Sequence, residues 1–293
     1  MWMSDGWKDY ELIDANAGER LERFGDELLA RPDPVVIWDG EREGPWDRIN
    51  ARYHRSNKGG GSWEIFDLPE SWTISYDLAD GKKIVFNIRP FSFKHTGVFP
   101  EQAANWEWTG ERLARYKGAE PPKVLNLFAY TGGATIAAAA AGAVVTHVDA
   151  ARGMVTVAHE NANASGLADA PIRWIVDDCV KFVERERRRG NKYQGIIMDP
   201  PSYGRGPKGE IWKLEENLCG LLMAAADLLA DDAVFFLINS YTGGLLPGAL
   251  KYMVHMALRE RGGHLAAEEL GLPVKSTGMA MPCGISARWS NEE

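Results

Sequence analysis

The residues best suited to chemistry in this chain stand where apolar runs stop. In "IIMDPPSYGRG" the run ends on Asp199, and Pro200, Pro201 and Tyr203 follow. Proline fixes φ and lacks an N–H, so this turn is expected to be rigid, with carbonyls that find no donor inside it. Asp199 and those carbonyls can accept hydrogen bonds from an amine, and an adjacent aromatic ring can stack on a base turned out of its helix. The plainer alternative is that Asp-Pro-Pro ends a strand and Tyr203 packs on the surface.

Three more runs end in the same way. In "NLFAYTGGATIA", Gly132 and Gly133 let the backbone turn tightly and come close to a ligand, and the next helix points its positive end there. The turn fits neither the G-x-G-x-x-G nor the G-x-x-x-x-G-K-[ST] pattern, and packing alone would explain such glycines equally well. Asp149 ends "THVDA", where a carboxylate can accept from both hydroxyls of a ribose or can cap the following helix. Asp177 and Asp178 end "IRWIVDD"; one can cap a helix while the other takes the exocyclic amine of an adenine. Acids at three strand ends, beside a glycine turn, favour an adenosine-bearing ligand.

These residues need strands and helices to hold them. Up to about residue 90 the pattern is strand and turn. An apolar run from Val35 to Trp38 meets a turn at Asp39-Gly40, and two alternating runs join at Asp80-Gly81, a strong hairpin signal. Between these features, Gly59 to Gly61 forbid regular structure. From about residue 100, strand and helix patterns alternate, from "KVLNLF" through "GATIAAAAAG", "AVVTHVDA" and "YQGIIMD" to "AVFFLIN", with "HLAAEELGLP" and "CGISARW" as two closing strands. The fold class expected is α/β: a Rossmann-like, mostly parallel sheet with helices on both faces in residues 91–293, and a small β-rich domain in residues 1–90. Ligands in such sheets bind outside the carboxyl ends of the strands, where the acids stand.

Composition narrows the class. A hydrophobic content of 45% is ample for a core, and no apolar stretch reaches the ~20 residues of a membrane helix. The amino terminus shows no secretory pattern, so a cytoplasmic location is expected. A net charge of −8 argues against coating nucleic acid by bulk electrostatics, although "RINARYHRSNK" and "ERERRRGNKY" are locally basic. Cys179, Cys219 and Cys283 form no C-x-x-C pair, and the histidines show no metal spacing, so no metal is expected. Eight tryptophans lie early in the chain, where a core role is the simpler reading; Trp46 and Trp63 flank the first basic run, a pairing of ring and charge that also suits RNA.

Taken in order, "FKHTGVFPEQ", "NLFAYTGG", "VDA", "HENANASGL", "DD" and "YQGIIMDPPSYGRG" resemble the class I S-adenosylmethionine-dependent methyltransferases, and more closely the branch that methylates bases of large-subunit ribosomal RNA. The resemblance covers about residues 90 to 245. It implies S-adenosyl-L-methionine as cofactor and RNA, ribosomal in that branch, as partner. Asn126, Phe128, Ala129, Tyr130, Gly132 and Gly133 would hold the methionine part, Asp149 and Ala150 the ribose, and Asp177, Asp178 and Cys179 the adenine. Lys94, Thr96, Gly97, Phe99 and Gln102 would close over the cofactor, which Asp199 would also meet. Tyr203, Arg205, Asn239 and Ser240 would face the acceptor, Tyr203 one position later than in the D-P-P-[YFW] form of adenine N6 enzymes. Attack through carbon 5 of a pyrimidine needs a thiolate, and "VFFLINSYTGG" has no cysteine where related cytosine enzymes carry it. Methylation on a nitrogen or oxygen remains, and the function expected from the resemblance is methylation of a nucleobase nitrogen in ribosomal or other structured RNA. A methyltransferase of small molecules or protein side chains, and a nicotinamide-dinucleotide protein, are its rivals.

Overall fold

The structure, a computed structural model, describes residues 1–56, 60–205 and 211–292. Two units emerge: one from Trp2–Ala104 with Gly271–Cys283, the other from Met1, Asn105–Leu270 and Gly284–Glu293.

After a two-residue strand β1 (Trp2–Met3), the first unit is built on a five-stranded sheet whose strands follow chain order: β2 (Tyr10–Asn16), β3 (Glu19–Phe24), β4 (Glu27–Pro32), β5 (Ala51–Arg55) and β6 (Gly61–Ile65). All pairings are antiparallel except β4 with β5. The hairpin expected at Asp80-Gly81 is present as β7 (Trp72–Asp77) and β8 (Lys83–Ile88), with Gly81 at φ 83°. Leu12, Leu21, Phe24, Leu29, Ile74, Ile84, Phe86 and Ile88 form its apolar interior. The Val35 to Trp38 run does not make a strand: Val36 is buried, whereas Ile37 is 89% exposed, and the Trp38 indole is tied to the Ala15 carbonyl at 2.6 Å. That segment has no strand partner, so its apolar residues are placed one by one. Of the glycine run, Gly59 lies outside the described residues, whereas Gly61, expected to forbid regular structure, opens β6 opposite Arg55.

The second unit holds the alternating part of the chain. A 3-10 turn (Pro100–Gln102) leads into α1 (Ala103–Ala114). Then follow β9 (Lys123–Leu127), α2 (Gly133–Ala140), β10 (Val144–Asp149), α3 (Arg152–Ala164), β11 (Ile172–Val176), α4 (Cys179–Arg189) and β12 (Gly195–Met198). A small hairpin of β13 (Tyr203–Arg205) and β14 (Ile211–Lys213) precedes α5 (Leu214–Ala226), β15 (Phe235–Ser240), α6 (Pro247–Leu258), β16 (His264–Pro273) and β17 (Ala280–Ser290). The main sheet has the order β1-β16-β17-β15-β12-β9-β10-β11. Its centre, from β15 to β11, is parallel, and β17 runs antiparallel to β15.

Strand alternation explains why these runs are mostly apolar in both phases. Ile196, Met198, Phe236 and Ile238 pack with α4, α5 and α6, while Val124, Ile197, Phe235 and Leu237 pack with α1 and α2. Both faces are covered, so apolar residues occupy both phases of the strand. Each such side chain, fully buried, contributes roughly 1.5–3 kcal/mol. The basic run on α4 is largely paired: Arg185 with Asp177, Arg187 with Asp227 at 2.7 Å, and Arg189 with Glu186 at 3.0 Å. No helix among the described residues is long and apolar enough to cross a membrane.

Candidate active site at the carboxyl ends of four strands

Four adjacent strands end side by side. Past the strand ladders, the Asp199 N–H donates to the Leu127 carbonyl at 3.3 Å, the Ala129 N–H to Val148 at 3.1 Å, and the Asp177 N–H to Asp149 at 3.0 Å. Each bond ties the residues leaving one strand to the end of the next. All the acids singled out in the sequence are therefore brought to one edge.

The loop after β9 is held in an unusual backbone. Phe128 and Tyr130 have φ of 55° and 50°, and Gly132 has 84°. Left-handed φ at two non-glycine residues costs about 1–2 kcal/mol each, and such strain collects where a loop must present its backbone to a ligand. Several tethers hold it. The Phe128 N–H donates to Cys179 Sγ at 3.2 Å, the Tyr130 N–H to Asp149 Oδ2 at 2.8 Å, and Asn161 Nδ2 to the Thr131 carbonyl at 2.9 Å. Gly132 is required twice over, by its φ and because a Cβ there would stand 2.9 Å from the Ala158 Cβ. Asn126 lies below this loop. Its Nδ2 donates to Thr135 Oγ1 at 2.9 Å, and that hydroxyl meets His147 Nδ1 at 2.9 Å. Asn126 and His147 are register partners on β9 and β10, so one buried polar chain joins both strands to the first turn of α2. Burial alone holds the His147 imidazole down to about 3.

Asp149 is only partly buried, and burial raises its carboxyl above the usual range against the pull of two backbone donors. Those donors are the Tyr130 N–H on Oδ2 and the Ala151 N–H on Oδ1, each at 2.8 Å. A carboxylate oxygen can accept twice, so each keeps a further lone pair. Ala150 follows it, exposed. Asp178 is the N-cap of α4, with Oδ1 accepting from the Lys181 N–H at 2.9 Å. Its own N–H goes to Asp177 Oδ1 at 2.8 Å, and Asp177 also pairs with Arg185. Both acids thus have structural work, and the Asp178 Oδ2 remains as an acceptor at the start of a helix.

The Asp-Pro-Pro turn departs from its expected form in one respect. The Pro201 carbonyl is not without a partner: the indole of Trp212 donates to it at 2.6 Å, and the Ser202 carbonyl accepts from the Leu214 N–H at 3.0 Å. The prolines supply no internal donor, so donors arrive from the strand and helix that follow. Pro200 is buried, and its carbonyl has no hydrogen-bond partner among the described residues. Tyr203 opens β13 and is 51% exposed. Arg205 ends that strand, and its side chain lies outside the described part. Trp212 belongs to no sequence motif; its place opposite Gly204 across the hairpin brings it to the turn.

The fifth strand divides the remaining pair. Asn239 faces α1: its Oδ1 accepts from Asn105 Nδ2 at 2.9 Å and from the Ser286 hydroxyl, inside a buried network that ends on Arg288. Its side chain is committed to the sheet rather than turned toward the Asp199 turn. Ser240 is buried, and its Oγ accepts from the Thr242 N–H at 3.2 Å; Thr242 in turn meets Ser202 Oγ at 2.7 Å.

Lys94, Thr96, Gly97, Phe99 and Gln102 belong to the first unit. Lys94 donates to the Pro32 carbonyl at 3.2 Å, and burial, with Arg31 next in effect, lowers its ammonium to about 8. Thr96 is fully buried, Gly97 has φ 114°, and the Gln102 N–H donates to the Phe99 carbonyl at 3.0 Å. Among the described residues no group of three acids, histidines or cysteines is placed to hold a metal ion.

Comparison with known proteins follows the same lines. The family model of S-adenosylmethionine-dependent methyltransferases matches residues 58–235. A solved SAM-dependent methyltransferase from Agrobacterium tumefaciens is 35% identical with a TM-score of 0.90, over 99% of this chain and 92% of that one. A putative SAM-dependent methyltransferase from Streptococcus mutans shares the fold at 18% identity and a TM-score of 0.72, over 97% of this chain and 76% of that one. Among curated relatives, ribosomal RNA large subunit methyltransferase K/L of Shewanella frigidimarina is 27% identical, and methyltransferase I of Aeromonas hydrophila is 30% identical. These matches cover 74% and 58% of this chain but only 28% and 40% of the two relatives, so the chain spans less than half their length. With a matching family model over most of its length and a close structural counterpart, the chain belongs to the S-adenosylmethionine-dependent methyltransferases.

Proposed function

We propose that the chain methylates a nucleobase nitrogen of ribosomal or other structured RNA, using S-adenosylmethionine and no cysteine nucleophile. The observation that carries this reading is the carboxyl edge, where Asp199, the strained Phe128–Gly133 loop, Asp149 and Asp177-Asp178 stand on four neighbouring parallel strands.

The donor and acceptor set suits the cofactor. The first N–H groups of α2 have no intrahelical partner and suit a carboxylate. The spare lone pairs of Asp149 suit ribose hydroxyls, and Asp178 Oδ2 with the Cys179 N–H suits the edge of an adenine. We assign these parts to those residues, with Asn126 acting through Thr135 rather than by touch. When bound, S-adenosylmethionine supplies a methyl group already activated on a sulfonium, so few catalytic groups are required. The chain's own task is alignment. Asp199 and the Pro200 carbonyl accept hydrogen bonds from the acceptor amine and fix the direction of its lone pair, and Tyr203 offers a ring to the base. Residues 1–90, read as a β-rich domain, are assigned a part in recognising the RNA, and a cytoplasmic location accords with such a substrate.

The cysteines support nitrogen chemistry. Cys179 is buried beneath Phe128, and burial pushes its thiol up, so it is held as a thiol and not as a nucleophilic thiolate. Burial likewise pushes up Cys283, in the first unit, and Cys219 lies on α5.

The test is to incubate the protein and labelled cofactor with ribosomal RNA, transfer RNA and intact ribosomal subunits, then digest and identify the labelled nucleoside. An N-methylated base is the expected product. Label in 5-methylcytidine would overturn the chemistry, and label confined to small molecules would overturn the substrate. Asp199→Ala is expected to abolish transfer while S-adenosylhomocysteine still binds, and Asp149→Ala to weaken that binding; the opposite pattern would exchange the two roles.

A further inference from the structure

Trp212 touches both halves of the proposed site. Its indole N–H donates to the Pro201 carbonyl at 2.6 Å, and its ring lies 5.8 Å from the Phe128 ring, inclined at 45°. Phe128 is the first residue of the strained loop, with its own N–H fixed to Cys179 Sγ. The acceptor turn cannot brace itself, because neither proline has an N–H. The Asp199 N–H reaches the Leu127 carbonyl at 3.3 Å ahead of the prolines, while the Ser202 tethers beyond them lead elsewhere: Ser202 Oγ meets Thr242 Oγ1 beyond β15, and the Ser202 carbonyl accepts from the Leu214 N–H at the start of α5. Tryptophan combines a donor that accepts nothing with the largest ring surface, so one side chain can hold a carbonyl and an aromatic partner together.

We propose that Trp212 is a positioning residue that couples the cofactor loop to the acceptor turn, so that a cofactor settling in the Phe128–Gly133 loop also orders Asp199-Pro200-Pro201. This rests on the loop being the cofactor side of the site, as assigned above. Two sites coupled through one side chain share a free energy that either ligand can read.

Hydrogen exchange with and without saturating S-adenosylhomocysteine tests the coupling without any acceptor. In the unaltered protein, the ligand slows exchange in residues 126–136 and also in residues 198–204, the latter by about fivefold or more, the low end of such couplings. Trp212→Phe keeps a ring against Phe128 and removes the N–H to Pro201. It is expected to retain the slowing at 126–136 and affinity for S-adenosylhomocysteine within about threefold, a small change in free energy, while the slowing at 198–204 disappears. Phe128→Leu breaks the same link from its other end, leaves the indole on Pro201, and should uncouple the turn in the same way. Unchanged ligand-dependent slowing at 198–204 in both variants would overturn the proposal. So would a wild type that binds the ligand and slows only at 126–136. Absence of slowing at 126–136 in the wild type is a different failure, that of the cofactor assignment, and the coupling falls with it.

Discussion

The two units differ in what their polar groups have left to offer a ligand. In the first, charge is buried and closed on itself. Glu22 is fully buried and accepts from Arg31 Nε and Nη2 at 2.6 and 2.7 Å and from the Tyr10 hydroxyl at 2.8 Å, while Arg20 pairs with Asp33 nearby. Burial alone would raise the Glu22 carboxyl, and the Arg31 guanidinium overcomes it, leaving the group lowered and ionised. In the second unit, a neutral Asn126–Thr135–His147 chain lies beneath the site, the buried Arg288 is held by the Asn105 carboxamide, and Asp149 and Asp178 stand at the strand ends with acceptor positions to spare. A satisfied buried ion pair has nothing left for a ligand. Asp149 and Asp178, half satisfied by backbone donors, do, and that difference places the chemistry at the edge of the second unit.

The sharpest way to break this contrast is Glu22→Ala. Removing one partner of a buried pair leaves the other uncompensated, and the expected loss is about 3–5 kcal/mol in urea unfolding; a loss below about 1 kcal/mol, the scale of a surface pair, would mean the charges are not a closed network. Gly132→Ala probes the other unit. Left-handed φ and overpacking against Ala158 together cost roughly 2–4 kcal/mol, and S-adenosylhomocysteine affinity should fall more than about tenfold. Titration calorimetry on this variant separates a loop built for a ligand from one built for packing, because the latter would lose stability and keep affinity.

Each unit also carries one histidine held near a pKa of about 3, His95 and His147. Burial is the main cause in both; Arg31 and Lys94 add to it at His95, whereas burial acts alone at His147. A base lowered in the folded state is protonated first in the unfolded chain. Stability is therefore full above the unfolded value of about 6.5 and falls as pH drops toward 3, by up to about 1.4 kcal/mol per pH unit for each histidine. Unfolding of His95→Asn and His147→Asn across that window should show each substitution removing about one proton's worth of slope. An unchanged slope in either variant would mean that its histidine is protonated in the fold. The smallest effect expected is that of Asp178→Ala, which removes the cap of α4 at about 1 kcal/mol. If S-adenosylhomocysteine affinity is untouched, Asp178 serves the helix alone.

Much of this was legible in the sequence because period and punctuation report local physics. The hairpin at Asp80-Gly81 and the strand–helix series from Lys123 onward appear where the turn residues and apolar runs place them. The sheet expected from that series, with its acids on one edge, is the sheet observed. Other features depend on partners distant in the chain. Glu22 sits in "ERLERF", a charged stretch, and is buried because Arg31 on the next strand neutralises it. Asn239 reads as a loop residue facing a substrate and is instead taken by Asn105 and Ser286. Val35 to Trp38 has strand composition but forms no strand, and Trp38 is instead tied to Ala15 and Ala17.

The sequence by itself determined the class of chemistry: glycines and acids at strand ends, and an acid followed by two prolines, are local choices that only a few backbones and ligands can use. The tertiary structure decided which of those groups remain available. A hydrogen-bond acceptor is free or spent according to donors that arrive from elsewhere in the chain, as the Tyr130 and Ala151 amides reach Asp149 and the indole of Trp212 reaches Pro201. Such pairing is a property of proximity in space, and no spacing along the chain contains it.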